Sequence, residues 1–372
     1  MRKPTAAHEP LIRMAKRGEA LPAWQSWGIR ILAFLLSLVV SGIVIVAISG
    51  LNPTTVFATM AQGAIGTNKR MWVTIRDAMT LLCIAVGLAP AFKMRFWNIG
   101  AEGQILMGGM TSAALMIYCG DKLPGFILIA AMLVCSMIAG MVWGLVPAWF
   151  KAKYNTNETL FTLMMNYVAM QLVTFAICFW ENPKGSNTIG TINQKTHYGW
   201  FPAIGAEKFA GRQYLFSCFI VAVVTLVVFF YLRRSKQGFE ISVVGSSQNT
   251  ARYAGINVKT VILRTMAISG AICGLAGAVI VGGSSHTLST STANGRGFTA
   301  IIVAWMSNFN PLFMLLISLL LIFMQQGSIQ IASQYKLNES FSDIIIGIIL
   351  FFLIGCEFFV RYKLEFRKKE ES

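Results

Sequence analysis

Apolar residues fall in long unbroken runs, separated by short stretches where charge, glycine and proline collect. The runs cover residues 31–50, 72–92, 99–119, 124–150, 157–180, 214–232, 265–283, 299–306, 312–325 and 342–360. Most approach the ~20 residues that a helix needs to cross a hydrocarbon core. They are continuous rather than alternating with period two, which predicts helices and argues against a β-barrel. The expected fold class is all-α, a polytopic transmembrane bundle of about ten spans. The run 299–306 is too short to cross comfortably, and Asn308-Phe309-Asn310-Pro311 ends it. A re-entrant half-helix is the alternative there. Residues 52–71 are mixed and read as an outside segment with a short interfacial helix.

Charge gives the orientation. The 372 residues include 31 Lys and Arg against 15 Asp and Glu, a net charge of +16. In a soluble chain that excess would suggest nucleic acid. Here 55% of residues are hydrophobic and only 12% charged, and the basic ones sit between apolar runs. The excess therefore reads as topology, with no nucleic-acid partner expected. With the N-terminus inside, 21 basic residues fall on inside segments and 9 on outside ones. Both termini are expected in the cytoplasm. The layout is a cytoplasmic segment 1–30, one membrane domain 31–360 and a basic cytoplasmic tail 361–372. Within that domain, 181–213 is an extracytoplasmic loop and 233–264 a cytoplasmic segment. The first run is too long for a signal-peptide core, so an uncleaved span is expected.

Candidate chemistry is sparse. The seven cysteines are scattered singly and the three histidines lie far apart, with no metal-ligand spacing. No phosphate-binding Gly-x-x-x-x-Gly-Lys-Ser/Thr loop, His-Glu-x-x-His or Gly-x-Ser-x-Gly occurs. An enzyme is not expected, nor a cofactor bound by this chain. Carboxylates at membrane depth are few: Asp77 and Glu102, with Asp343 and Glu357 near the ends of the last run. A proton- or sodium-coupled carrier using Asp77 and Glu102 stays open on that count. Arg76 and Asp77 are adjacent and are expected to satisfy each other or a neighbouring helix. Asn166 and Gln171 read as buried amides that need partners. Asn155-Thr156-Asn157-Glu158 reads as a helix start, with an Asn or Thr cap and an acid in the first turn. Gly140-x-x-x-Gly144 and Gly270-x-x-x-Gly274 have the spacing of close helix packing.

Two stretches concentrate the signal. Residues 96–104, Phe-Trp-Asn-Ile-Gly-Ala-Glu-Gly-Gln, interrupt the apolar pattern with two glycines, two amides and an acid. A bilayer tolerates that only where the groups face protein or water. In one reading Glu102 lines a path, with Asn98 and Gln104 offering hydrogen bonds and Trp97 stacking a base. In the other, Asn98 caps a helix, Glu102 pairs with Arg95, Arg76 or backbone amides, and Trp97 anchors at the interface. The second stretch is basic and begins at Arg233. Ser246 or Ser247 caps a short helix there that stops at Gly255. A helix of two turns is not stable alone, so it docks on this chain or on a partner.

Three segments carry a family resemblance. Residues 96–109 contain Asn-Ile-Gly-Ala-Glu-Gly-Gln, and 157–167 read Asn-Glu-Thr-Leu-Phe-Thr-Leu-Met-Met-Asn-Tyr. Residues 238–255 end in Ala-Arg-Tyr-Ala-Gly, and 297–311 match more weakly. In this order they resemble the ribose/nucleoside type of ABC importer permease, nucleoside branch, in the form of the larger of two permease subunits. The resemblance implies a type II importer architecture, similar to cobalamin importers, in a bacterial cytoplasmic membrane and in contact with its lipid. It implies three protein partners: a second homologous permease, a cytoplasmic ABC ATPase that holds ATP and Mg, and an extracytoplasmic substrate-binding protein or lipoprotein. The implied substrate is a nucleoside, purine first, with ribose- or galactose-like sugars as the alternative. The implied coupling residues are Glu240, Gly245, Ala251, Arg252, Tyr253, Ala254 and Gly255. The implied path residues are Trp97, Asn98, Glu102, Gln104, Asn166 and Gln171. One departure is Ser242, where relatives of this type look to carry arginine. It shifts the expected contact with the ATPase to Glu240 or Arg252.

Overall fold

The structure, a computed structural model, describes residues 12–16, 22–205, 209–336 and 339–366. The expectations for 1–11, 17–21 and 367–372 lie outside the described residues, as do the side chains of Asp343 and Glu357. In chain order come β1 (Ile12–Lys16), α1 (Ala23–Ser49), α2 (Pro53–Ile65), α3 (Asn68–Lys93), α4 (Ala101–Cys119) and α5 (Gly125–Tyr154). They are followed by α6 (Glu158–Trp180), α7 (Leu215–Arg234), α8 (Lys236–Ser246), α9 (Gln248–Tyr253) and α10 (Val258–Ile280). A π-turn at Val281–Ser285 extends α10; then come α11 (Arg296–Met306), α12 (Pro311–Tyr335), α13 (Glu339–Arg361) and β2 (Tyr362–Phe366).

Among the described residues, seven helices are long and apolar enough to cross a membrane: α1, α3, α5, α6, α7, α10 with its π-turn, and α12. Among the remainder, α11 and the 344–360 part of α13 are apolar but shorter. The fold is helical as the runs predict, with one addition. β1 pairs antiparallel with β2, Ile12 opposite Phe366 and Lys16 opposite Tyr362. Apart from this ribbon, the described residues form no sheet.

The chain divides into two compact units, Met1–Ala64 with Met324–Ser372, and Ile65–Phe323. In the second unit α3 and α10 form the centre: 83% of the apolar window of each is buried, against 22–28% for α5, α6 and α7. Small residues make this possible. A Cβ on Gly108 of α4 would run into the Gly274 carbonyl of α10, and one on Gly140 of α5 into the Gly270 carbonyl. The two Gly-x-x-x-Gly pairs thus face one another, so that backbones meet directly. Ser136 reinforces the contact, donating to the Gly108 carbonyl at 2.8 Å while its hydroxyl meets that of Ser112 at 2.7 Å.

In the first unit, α12 runs ten residues past the expected end at 325. The sequence turns polar there, with Gln325, Gln326, Ser328 and Gln330. Packing keeps the helix intact. Gly327 lies against Met60 of α2 and Gly63 against Gln330, with the hydroxyls of Thr59 and Tyr335 3.3 Å apart. The expected short helix in 52–71 is α2, and its role is this packing.

Candidate functional site

Between α3 and α4 the backbone leaves helical geometry, and Arg95 takes a φ of 60°. Asn98, fully buried, organises this break. Its Oδ1 accepts from the Gly100 N–H at 3.1 Å and from Gln104 Nε2 at 3.3 Å. Its Nδ2 donates to Ser269 Oγ on α10 at 3.2 Å and to Gln104 Oε1 at 3.4 Å. The expectation that Asn98 caps the helix is corrected in detail. Gly100 is the cap residue, and Asn98 instead closes a turn two residues long.

α6 completes the enclosure. Asn157 caps it, accepting from the Leu160 N–H at 3.2 Å, and Glu158 in its first turn pairs with Lys151 at 2.9 Å. One turn on, Thr162 accepts from the Ile99 N–H at 3.2 Å. Asn166, also buried, accepts from the Gly103 N–H at 2.8 Å and donates to the Ile99 carbonyl at 2.9 Å. The structure thus brings Asn98, Gln104 and Asn166 together, with their amides engaged by one another and by backbone. Gln171 departs from the expectation of burial: it lies on the exposed side of α6. The helix turns it away because Thr162, Asn166, Ala169 and Val173 already fill the inward face.

The acid Glu102 is 6% exposed, and its Oε2 accepts from the Gly297 N–H at 3.0 Å. Gly297 is in the first turn of α11, where free N–H groups and the helix dipole favour an anion. Of the partners expected for Glu102, the backbone amide is the one found. Arg76 is held by Asp77 through two bonds of 3.0 Å, and Arg95 is exposed. A further partner, Arg296 at the start of α11, reaches Asp77 Oδ1 at 3.1 Å. Two carboxylates from α3 and α4 therefore seat the start of the short helix α11. Near its other end Trp305 stacks on Trp97, centroids 5.2 Å apart at 20°, with Phe92 edge-on to both. Trp97 is 42% exposed.

The basic segment after α7 forms two helices rather than one. Ser235 caps α8 and Ser247 caps α9, each through its hydroxyl, to Gly238 N at 2.9 Å and to Thr250 N at 3.2 Å. α9 ends as read, with Gly255 at φ 77°. Ala251 is fully buried, while Arg252, Tyr253, Ala254 and Gly255 are exposed, Tyr253 at 93%. Two expected coupling residues face inward instead. Glu240 is paired with Arg264 of α10 at 2.8 Å. Gly245 is buried so closely on α3 that a Cβ would collide with the Lys93 carbonyl. Both tie α8 to the membrane helices. Phe239, passed over in the sequence, is 66% exposed on α8. An apolar residue next to a basic stretch was the available signal.

The profile of a family described as branched-chain amino acid transport system, permease component, matches residues 71–354. The chain is similar to the guanosine ABC transporter permease protein NupP of Bacillus subtilis, 28% identical over 346 residues, covering 91% of this chain and 96% of that one. It is similar to the glucose ABC transporter permease protein TsgB13 of Haloferax volcanii, 27% identical over 355 residues, 92% and 91% of the two chains. A third relative is the nucleoside ABC transporter permease protein NupB of Lactococcus lactis, 27% identical over 291 residues, 77% and 80%. No solved structure matches the chain.

Proposed function

The chain belongs to the permease-component family of branched-chain amino acid transport systems, and from that premise we propose that it is the membrane subunit of an ATP-driven importer of nucleosides, purine nucleosides such as guanosine first. The observation that carries the substrate is the similarity to the guanosine permease over nine-tenths of both chains. A simple sugar is the second reading, favoured by the similarity to a glucose permease at nearly the same identity. A proton- or sodium-coupled carrier is disfavoured by geometry. Asp77 is held by two arginines and Glu102 by the first turn of α11, so both candidate carboxylates have structural work.

In this reading the chain pairs with a second homologous permease, as its larger partner, in the bacterial cytoplasmic membrane. An extracytoplasmic binding protein or lipoprotein delivers the solute, and a separate cytoplasmic ATPase binds ATP and Mg. This reading has ten crossings, with both termini inside and a type II importer architecture; the count adds α4, α11 and α13 to the seven long apolar helices. The contact with the ATPase is assigned to Arg252, Tyr253, Ala254 and Gly255, which α9 presents outward while Ala251 holds it to the membrane unit. Arg and Tyr are common interface anchors. Asn98, Gln104, Asn166 and Glu102 frame the path rather than touch solute, and Trp97 offers a half-exposed ring.

The test is uptake of radiolabelled guanosine by cells carrying the complete transporter, with and without Gly255→Pro. Proline cannot take the φ of 77° at that position. Loss of uptake at unchanged membrane abundance is expected. Entry of a labelled sugar but not of guanosine would leave the permease and overturn the nucleoside. Unimpaired uptake in Gly255→Pro would overturn coupling through α9.

A further inference from the structure

The exposed surface of α6 is divided by polarity. Tyr167, Gln171, Thr174 and Cys178 are all exposed, with Tyr167 at 57%. At 100° per residue these four positions lie within about 60° of one another and extend over roughly 16 Å of the helix axis. The neighbouring exposed sector is apolar: Met164, Val168, Leu172, Phe175 and Phe179, with Leu160 continuing the direction of the four polar positions about two turns before Tyr167. Neither Tyr167 nor Gln171 has a side-chain hydrogen bond within the described residues, while Thr174 bonds back to the Met170 carbonyl at 2.9 Å.

The other outward helices of this unit lack such a ribbon. Along α5 the exposed mid-span positions are Val134, Ile138, Val142 and Val146, and along α7 they are Phe219, Val223, Leu226 and Val227. Those faces suit lipid. A glutamine with no partner near the middle of a spanning helix does not, because an unsatisfied amide in hydrocarbon costs several kcal/mol by the general estimate of ~2–7.

We infer that Tyr167, Gln171, Thr174 and Cys178 form a wall of the water-filled path through which the solute crosses. The ribbon offers amide and hydroxyl donors and acceptors, an aromatic face and no charge. It fits a neutral solute rich in hydroxyl and amide groups. This deepens the importer reading and rests on it for the identity of the solute, but not for the presence of water.

Thiol accessibility tests it in membrane vesicles holding the complete transporter. Cys178→Ser is the background, and Gln171→Cys and Thr174→Cys are made in it. Val142→Cys and Leu226→Cys serve as controls on the apolar faces. A membrane-impermeant cationic methanethiosulfonate is added to both sides, with a permeant maleimide to show that each protein is present and folded. Thiolates react in water, so both ribbon cysteines are expected to react at least about tenfold faster than the controls. Rates equal to the controls would overturn the inference. So would resistance of the ribbon cysteines to both reagents, because the ribbon would then be covered by protein. Slowing of the reaction by guanosine supports the nucleoside as well. Fast reaction that glucose slows and guanosine does not would keep the wall and remove the nucleoside.

Discussion

Asn166 holds two backbone groups for which the structure shows no other partner, the Gly103 N–H and the Ile99 carbonyl. Both belong to the break that leads into α4, where no helical ladder can satisfy them. Asn166→Ala leaves each without a partner in a buried place, at about 1–3 kcal/mol per group. The expected result is a clear fall in the thermal unfolding midpoint of the purified chain in detergent. Asn166→Asp should fall less, because it still accepts from Gly103. Equal midpoints for all three proteins would show that water or lipid headgroups reach these groups. At this scale the sequence was legible in one direction only. Amides at membrane depth had to be satisfied, and Asn98, Asn166 and Gln104 are. Their partners could not be read, since Ser269, which bonds Asn98, comes from a helix far along the chain, as does Arg296, the partner of Asp77. Gln171 shows the converse: an amide in an apolar run reads as buried until the helix phase set by Thr162, Asn166 and Val173 turns it outward.

Elements defined by local rules came out close to their reading. Ser247 and Gly255 bound α9 as cap and stop, and Asn157 with Glu158 opens α6. Elements that depend on tertiary contact did not. Glu240 looked free to meet a partner because Arg264, its ion-pair partner, sits on the next membrane helix. α12 looked finished at 325 because only its packing on α2 sustains the polar turns beyond. The loop between α6 and α7 is of the second kind, and a pH dependence is expected of it. The Ile192 N–H donates to the His286 carbonyl at 2.8 Å, and the Phe201 N–H to the Gly282 carbonyl at 2.9 Å. Trp200 stacks on His286 at 3.8 Å and 4°, with His197 edge-on to Trp200 at 4.3 Å. Burial, and after it the neighbouring His197, pushes the His286 imidazole down to about 4. Its Nδ1 is buried without a partner, which suits the neutral ring. The unfolded loop takes up a proton near the ordinary value of 6.5, so below it the unfolded state binds more protons and stability falls with falling pH, down to about 4. Protease cleavage of the loop is therefore expected to rise between pH 7 and pH 5. His286→Phe, which keeps the stack and cannot titrate, should flatten that rise. A rise unchanged in the variant would place the titration elsewhere.

At the scale of the molecule, the two ends of the chain constrain the path between them. β1 begins near residue 12 and β2 ends near residue 366, and they are hydrogen-bonded neighbours in one ribbon. Strands pair only when both lie on the same side of the bilayer, so the chain between them crosses an even number of times. The seven long apolar helices alone would give an odd number. If all seven cross, an odd number of further helices crosses too, and the proposed ten crossings, which add α4, α11 and α13, satisfy that parity. The proposed orientation puts that shared side in the cytoplasm, in keeping with 21 basic residues on one side against 9 on the other. Fusions decide the matter. A fluorescent protein, which matures only in the cytoplasm, is expected to light up at either end of the chain. Alkaline phosphatase, active only outside, should be silent at both ends and active when inserted after Asn187. Phosphatase activity at a single terminus would break the parity and with it the ten-crossing path. Activity at both ends, with a silent insertion at Asn187, would keep the parity and reverse the orientation, moving α9 and its exposed Arg252 and Tyr253 away from any ATPase.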